Sequence, residues 1–302
     1  MCILNPLYKL VWKYIEHLDN KRMPQLPDPD DVDKFMDYHY MDDDKKEHLF
    51  DVYMPKDTPK DAKLPVILDI HGGGLMYGYK IINENYNLWL AHRGFVVFSI
   101  NYTLTLKKKF PQCAFDVGEA LQYIDKNLEN WPCDRDKFFI TGDSAGAFLA
   151  LIATLMCKDK EYRKAFGIEA DITLDPKALG LTSPALDYRE KPLWFIAAGN
   201  FGFCGQTKCK YAKELDFAKV VNKDNIVPTF LVSSEEDFMA NETKIDAEFI
   251  KNTGVDTQFE FYPAGQNGYK LEHVFSVSWP SRPESVEVID NLTSFFLKHA
   301  EG

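Results

Sequence analysis

Cysteine is scarce and unpatterned in this 302-residue chain. Its six thiols, Cys2, Cys113, Cys133, Cys157, Cys204 and Cys209, are too few for a disulfide scaffold at this length. Their spacing fits no zinc pattern, and Cys204 and Cys209 form a lone pair without a second half. They read as reduced thiols of a soluble, cytoplasmic protein. No apolar run reaches the ~18 residues a membrane span needs. The apolar stretch around Leu10 is broken by Lys9, Lys13 and Glu16, so no signal peptide is expected. Basic charge is also short: 35 Lys and Arg against 46 Asp and Glu leave a net charge of −11. That balance excludes nucleic acid and anionic membrane surfaces as partners. The acidic runs at 28–33 and 42–44 read as solvated faces. Repeats and low-complexity segments are absent.

What the chain does have is an apolar share of 45% and an aromatic share of 14%, enough for a well-packed core. Apolar residues from Leu4 to Leu18 recur at helical spacing, and a proline- and aspartate-rich connector follows, Met23 to Asp33. Strands are expected between Phe35 and Tyr53, most clearly at Leu49 to Tyr53, and at Leu64 to Ile70. Thereafter strands and helices alternate. The strands are placed at Phe95 to Ile100, Phe138 to Thr141, Leu179 to Thr182, Thr229 to Ser233 and Thr257 to Tyr262. The helices are placed at Ala114 to Leu128, Ala147 to Met156, Asn241 to Asn252 and Glu284 to His299. Near-continuous apolar strands in a βαβα rhythm predict an α/β fold, a mostly parallel sheet with helices on both faces. Tyr188 to Asn222 breaks the rhythm and reads as an insertion over the sheet's carboxyl edge.

Gly142-Asp143-Ser144-Ala145-Gly146 stands between the strand at 138–141 and the helix at 147–156. In that setting it reads as a nucleophile elbow, a sharp strand-to-helix turn that lifts the Ser144 hydroxyl above the sheet. A serine needs a base, an orienter for that base and an anion hole. In such folds the order along the chain is serine, acid, histidine. Only His273 and His299 follow Ser144. His299 lies near the end of the last helix, where capping or solvent exposure is expected. His273 lies in the loop between the last strand and last helix, within reach of Ser144. The acid should follow the strand ending near Ser233, where Glu235, Glu236 and Asp237 compete. Asp237 is favoured because it starts the loop into the next helix, with Glu235 and Glu236 as open alternatives. His71-Gly72-Gly73-Gly74 follows a buried strand, where backbone amides meet a tetrahedral oxygen. The expected donors are the amides of Gly73, Gly74 and Ala145. His71 reads as a structural hydrogen-bonding residue.

The pairing of His-Gly-Gly-Gly at 71–74 with Gly-Asp-Ser-Ala-Gly at 142–146 resembles the hormone-sensitive-lipase family of esterases, within the α/β-hydrolases. Asn101-Tyr102-Thr103-Leu104, Asp237-Phe238-Met239-Ala240-Asn241-Glu242 and His273-Val274-Phe275 are smaller similarities. The resemblance covers roughly residues 64 to 299 and implies an α/β-hydrolase fold with Ser144, Asp237 and His273 as triad. It further implies hydrolysis of short- to medium-chain acyl esters beneath a helical cap. That cap would come from residues 1–45 and an insertion at about 185–222, on a catalytic domain spanning 46–302. Three departures are visible: Thr103 and Lys107 to Lys109 replace a family motif, Gln266 to Glu272 lengthen the histidine loop, and the cap sequence carries no recognised motif.

The leading expectation is therefore a serine carboxylesterase. It would use a small-molecule ester as partner, and no cofactor, metal, nucleic acid or membrane. Monomer and homodimer are both open. Tyr77, Tyr79, Trp194, Phe201 and Phe203 are candidates to line the substrate pocket, with Tyr188 and Phe195 beside them. The alternatives are a carbohydrate or amide deacylase on the same scaffold and a non-catalytic ligand-binding relative, which retention of His273 disfavours. A chymotrypsin-type protease is excluded, because it would need His and Asp before the serine in an all-β chain. Gly265 to Glu272 is expected to be a mobile flap at the pocket mouth.

Overall fold

The computed structural model describes residues 5–186, 210–265 and 267–300. Eight strands form one sheet in the order β1-β2-β4-β3-β5-β6-β7-β8. At one margin β1 (Val32–His39) and β2 (Leu49–Pro55) run antiparallel. Beyond them the neighbours are parallel: β4 (Val96–Ile100), β3 (Leu64–Ile70), β5 (Cys133–Asp143), β6 (Pro176–Thr182), β7 (Thr229–Ser234) and β8 (Thr257–Tyr262).

Alternation along the central strands divides the core between the two faces of the sheet. Val66, Leu68, Phe98, Phe138 and Ile140 enter one cluster, whereas Ile67, Val97 and Phe139 enter the other. Both sides being buried is why these strands read as continuous apolar runs. The first face is covered by α3 (Gln112–Asn127), α4 (Ala145–Lys158) and the helix Ala240–Lys251. The second is covered by α2 (Glu84–His92) and the helix Pro283–Ala300. Every residue of α4 from Ala145 to Met156 is buried, so this helix has no polar face for solvent.

The expected alternation of strands and helices is present, with boundaries shifted by a few residues. The largest shift is at β5, which starts at Cys133 because the polar segment 133–137 joins the sheet through an irregular register with β3. A correction concerns the amino-terminal segment. Residues 1–45 are expected to contribute to a cap, yet Val32–His39 hydrogen-bonds to β2 as the sheet's margin strand. The helix of this segment, α1 (Asn5–Arg22), is not part of the sheet. Most of the expected insertion, residues 187–209, lies outside the described residues. Among the described residues, no helix is long and apolar enough to cross a membrane, and Cys113, Cys133 and Cys157 are free thiols.

Candidate active site

Ser144 sits between β5 and α4 with φ 51° and ψ −116°, a backbone state L-residues rarely adopt. Two features impose it. Its N–H donates to the Thr182 carbonyl (2.8 Å), which holds the turn against β6. At Gly146 an added Cβ would lie 1.9 Å from the Ile70 carbonyl oxygen, so only glycine lets α4 start this close to β3. The Ser144 side chain makes no capping bond to its own helix. Its hydroxyl is left for another partner.

That partner is His273. Its Nε2 lies 2.9 Å from Ser144 Oγ, and its Nδ1 lies 2.8 Å from Asp237 Oδ1. A carboxylate accepts only, so Nδ1–H donates to Asp237 and Nε2 is left to accept from the serine hydroxyl. Asp237 is itself almost fully enclosed. Burial works to raise its pKa, but the hydrogen bond and charge of His273, with the Met239 amide, overcome this and hold it below the usual range. Ser233 Oγ donates to the second carboxylate oxygen (2.9 Å). The Val274 amide donates to Ser183 Oγ (3.2 Å) beside the histidine, and the Phe238 ring lies 4.3 Å from the imidazole.

Glu235 and Glu236, the other two carboxylates of this loop, turn elsewhere. Glu235 accepts from the Ala264 amide, and Glu236 from the amides of Gly265 (2.9 Å) and Leu271 (2.8 Å). The stretch expected to be a mobile flap is thus tied at both ends to the acid loop. It is fastened further by Tyr269, which donates to Glu284 and lies beneath the Arg282 guanidinium. His299, as its place in the last helix suggests, is remote from Ser144, beside Asp256 (3.1 Å) and Phe295.

The glycine loop after β3 faces the elbow. Gly73 has φ 95°, and a Cβ there would lie 2.1 Å from the Tyr77 carbonyl oxygen; its own carbonyl accepts from Met76 and Tyr77. The amides of Gly73, Gly74 and Ala145 have no acceptor among the described residues. His71 is fully buried and stacked on Tyr102 (4.4 Å), and its Nδ1 bonds the Gly72 carbonyl. Burial lowers its pKa to about 4, so it is neutral at physiological pH and serves as a spacer beneath the loop. The Gly72 amide donates to Asp143 Oδ1, joining the glycine loop to the elbow. Asn83 bridges Asp143 and the buried Asp69.

Of the residues expected to line a substrate pocket, Trp194, Phe201 and Phe203 lie outside the described residues, as do Tyr188 and Phe195. Tyr79 packs against the core. Tyr77 stacks on Trp12 of α1 (5.5 Å, ring planes nearly parallel) and donates to Asp19. Trp12 also lies against Gly74, 3.3 Å from where its Cβ would be. Nothing in the sequence singled out Trp12, Ser183, Ser233 or Asn83. Trp12, Ser183 and Asn83 make contacts with residues 60 or more positions away, and Ser233 reaches Asp237 four positions on, none of them within a recognisable motif.

An alcohol bonded to an imidazole, which is bonded in turn to a carboxylate, with free amides nearby, is an arrangement suited to acyl transfer. Comparisons with known proteins agree on the class. The family model described as BD-FAE matches residues 50–178. A versiconal hemiacetal acetate esterase of Dothistroma septosporum is 27% identical over 76% of this chain and 71% of its own length. Esterase LipC of Mycobacterium tuberculosis is 29% identical over 44% of this chain, and the match spans only 33% of that relative. Among solved structures, esterase B of Lactobacillus rhamnosis superposes with a TM-score of 0.89, covering 97% of this chain and 94% of that one at 23% identity. The Pyrobaculum calidifontis esterase superposes with a TM-score of 0.74 at 22% identity, covering 97% of this chain and 93% of its own. The chain has the α/β-hydrolase fold, and the proteins it is similar to in sequence and in structure are esterases.

Proposed function

We propose that this chain is a carboxylic ester hydrolase working through Ser144, His273 and Asp237, on short- to medium-chain acyl esters. The observation that carries the reading is the unbroken hydrogen-bonded path from Ser144 Oγ through His273 to Asp237. Ser144 Oγ attacks the ester carbonyl carbon as its proton passes to His273 Nε2. Asp237 holds the tautomer and stabilises the imidazolium without taking the proton. The tetrahedral oxygen accepts from the amides of Gly73, Gly74 and Ala145, each such donor contributing about 2.7–4 kcal/mol. Collapse breaks the ester bond, and His273 returns its proton to the departing alcohol. Water, deprotonated by His273, then cleaves the acyl-enzyme and frees the acid.

Two similar proteins support the short-chain reading. The Lactobacillus esterase is inhibited by a C4-C4 tributyrin phosphonate, and the Dothistroma relative is an acetate esterase. A cap role for α1 is supported by Trp12, which stands over Gly74. The test is hydrolysis of p-nitrophenyl acetate through decanoate by wild type and Ser144→Ala. The expected result is a maximum at short chains and a loss of at least about 10⁴-fold in the variant. A folded protein inactive on every chain length would overturn the carboxylesterase reading and favour a sugar or amide deacylase, the runner-up.

A further inference from the structure

A pocket lies at the β1 margin of the sheet, away from Ser144. It has a volume of about 340 Å³ and is lined by Phe35 and Tyr38 of β1, Phe50 of β2, and Tyr123, Asn127, Asn130 and Trp131. β1 stands four strands from β5, roughly 19 Å at ~4.8 Å per strand, and none of these residues belongs to the Ser144 site.

The wall is built by a break in strand regularity. Residues three apart on a regular strand face opposite sides of the sheet. Phe35 pairs with Val52 and Tyr38 with Phe50, so three steps on β1 match two on β2. The extra residue turns Phe35 and Tyr38 to the same face, as bulges do where a side chain must be re-aimed. Both rings then meet Trp131 edge-on, at 5.3 and 5.7 Å. The bulge is held in place. Asp37, at φ 61°, donates its N–H to the buried Asp51, and Lys80 bridges the two carboxylates.

The lining has no charged side chain, which disfavours phosphates, carboxylates and ammonium groups as ligands. It is not purely apolar either. Asn127 donates to the Tyr123 carbonyl and accepts from Asn130, so the two amides are ordered in advance. The Asn130 carbonyl oxygen, the phenols of Tyr38 and Tyr123 and the indole N–H of Trp131 have no partner among the described residues. We infer that this pocket binds a neutral sugar ring of an oligosaccharide, its C–H face against the aromatic wall and its hydroxyls on these polar groups. A proline-rich peptide suits the aromatics but offers carbonyls without N–H donors, and would leave the Asn130 oxygen unmet.

The test is calorimetric titration of the full chain with xylobiose, cellobiose and maltose, and with decaproline. Saturable binding of at least one disaccharide is expected, weakened about tenfold or more by Tyr38→Ala and by Trp131→Phe. The same titration of Ser144→Ala should be unchanged, and Tyr38→Ala should leave p-nitrophenyl acetate hydrolysis unaffected. The inference is overturned by no saturable sugar binding, by sugar binding that survives both pocket variants, or by decaproline binding alone.

Discussion

At Ser144 the chain accepts a left-handed backbone because the surroundings leave no other. Gly146 shows how little room there is: Gly146→Ala would press a methyl group against the Ile70 carbonyl oxygen at 1.9 Å and that of His71 at 2.6 Å. Both obstacles are backbone, which cannot swing aside. The variant is expected to lose about 3 kcal/mol or more, or to fail to fold, in urea melts. A loss under about 1 kcal/mol would contradict the tight approach of α4 to β3. Asp237 makes a complementary test. Asp237→Asn keeps the shape but favours the wrong tautomer of His273, so kcat is expected to fall about 10⁴-fold. A fall of less than tenfold would move the orienting role to Glu235 or Glu236. The sequence could name Ser144 and His273, since one lies in a motif and chain order selects the other. It favoured Asp237 among three neighbouring carboxylates but left Glu235 and Glu236 open, because which way each turns depends on amides about 30 residues away.

Between elements, the acid loop and the histidine loop support each other. Glu236 accepts from two amides of the loop that carries His273, and those bonds hold its carboxyl below the usual range. The anchorage is therefore present near neutrality and fades as pH falls through that lowered pKa. Glu236→Ala removes this anchorage while leaving Ser144, His273 and Asp237 in place, and kcat is expected to fall about 10- to 100-fold. Steady-state rates at pH 7.5 decide this, and an unchanged kcat would show that the loop holds His273 by packing alone. The loop's length suggested a flap, and its anchorage was not legible because Glu236 and the amides it binds are about 30 residues apart. The strands were legible where apolar runs of strand length recur, but the helix Glu84–His92, with buried asparagines on its inner side, and the short helix Lys160–Ala165 were not. The bulge in β1 was not, since nothing in Phe35 to Tyr38 marks the extra residue.

For the molecule as a whole, the informative groups are two carboxyls buried beneath the site. Asp69 is enclosed in the sheet, and burial together with the charge of Asp143 raises its pKa to about 7, against the hydrogen bonds from Asn87, Asn83 and Ser99. Tyr86 is buried beside them. A folded-state pKa above the ordinary 3.8 means the fold binds the proton more tightly than the unfolded chain. This group therefore supports stability most below about pH 4, and its contribution declines as pH rises towards 7. Asp69→Asn should flatten that slope in denaturation midpoints measured from pH 4 to 7.5. An unaltered slope would place the titration elsewhere. Asp69 sits in an apolar run that marked a buried strand correctly, but its partners come from α2, the turn before it and β4, which no pattern along the chain connects.

The most direct measurement is intact-mass spectrometry after exposure to diisopropyl fluorophosphate, with peptide mapping, on wild type and Ser144→Ala. The triad assignment predicts one adduct per wild-type chain, located on Ser144, and none in the variant. A folded wild type that stays unmodified, or is modified at another residue, would contradict it.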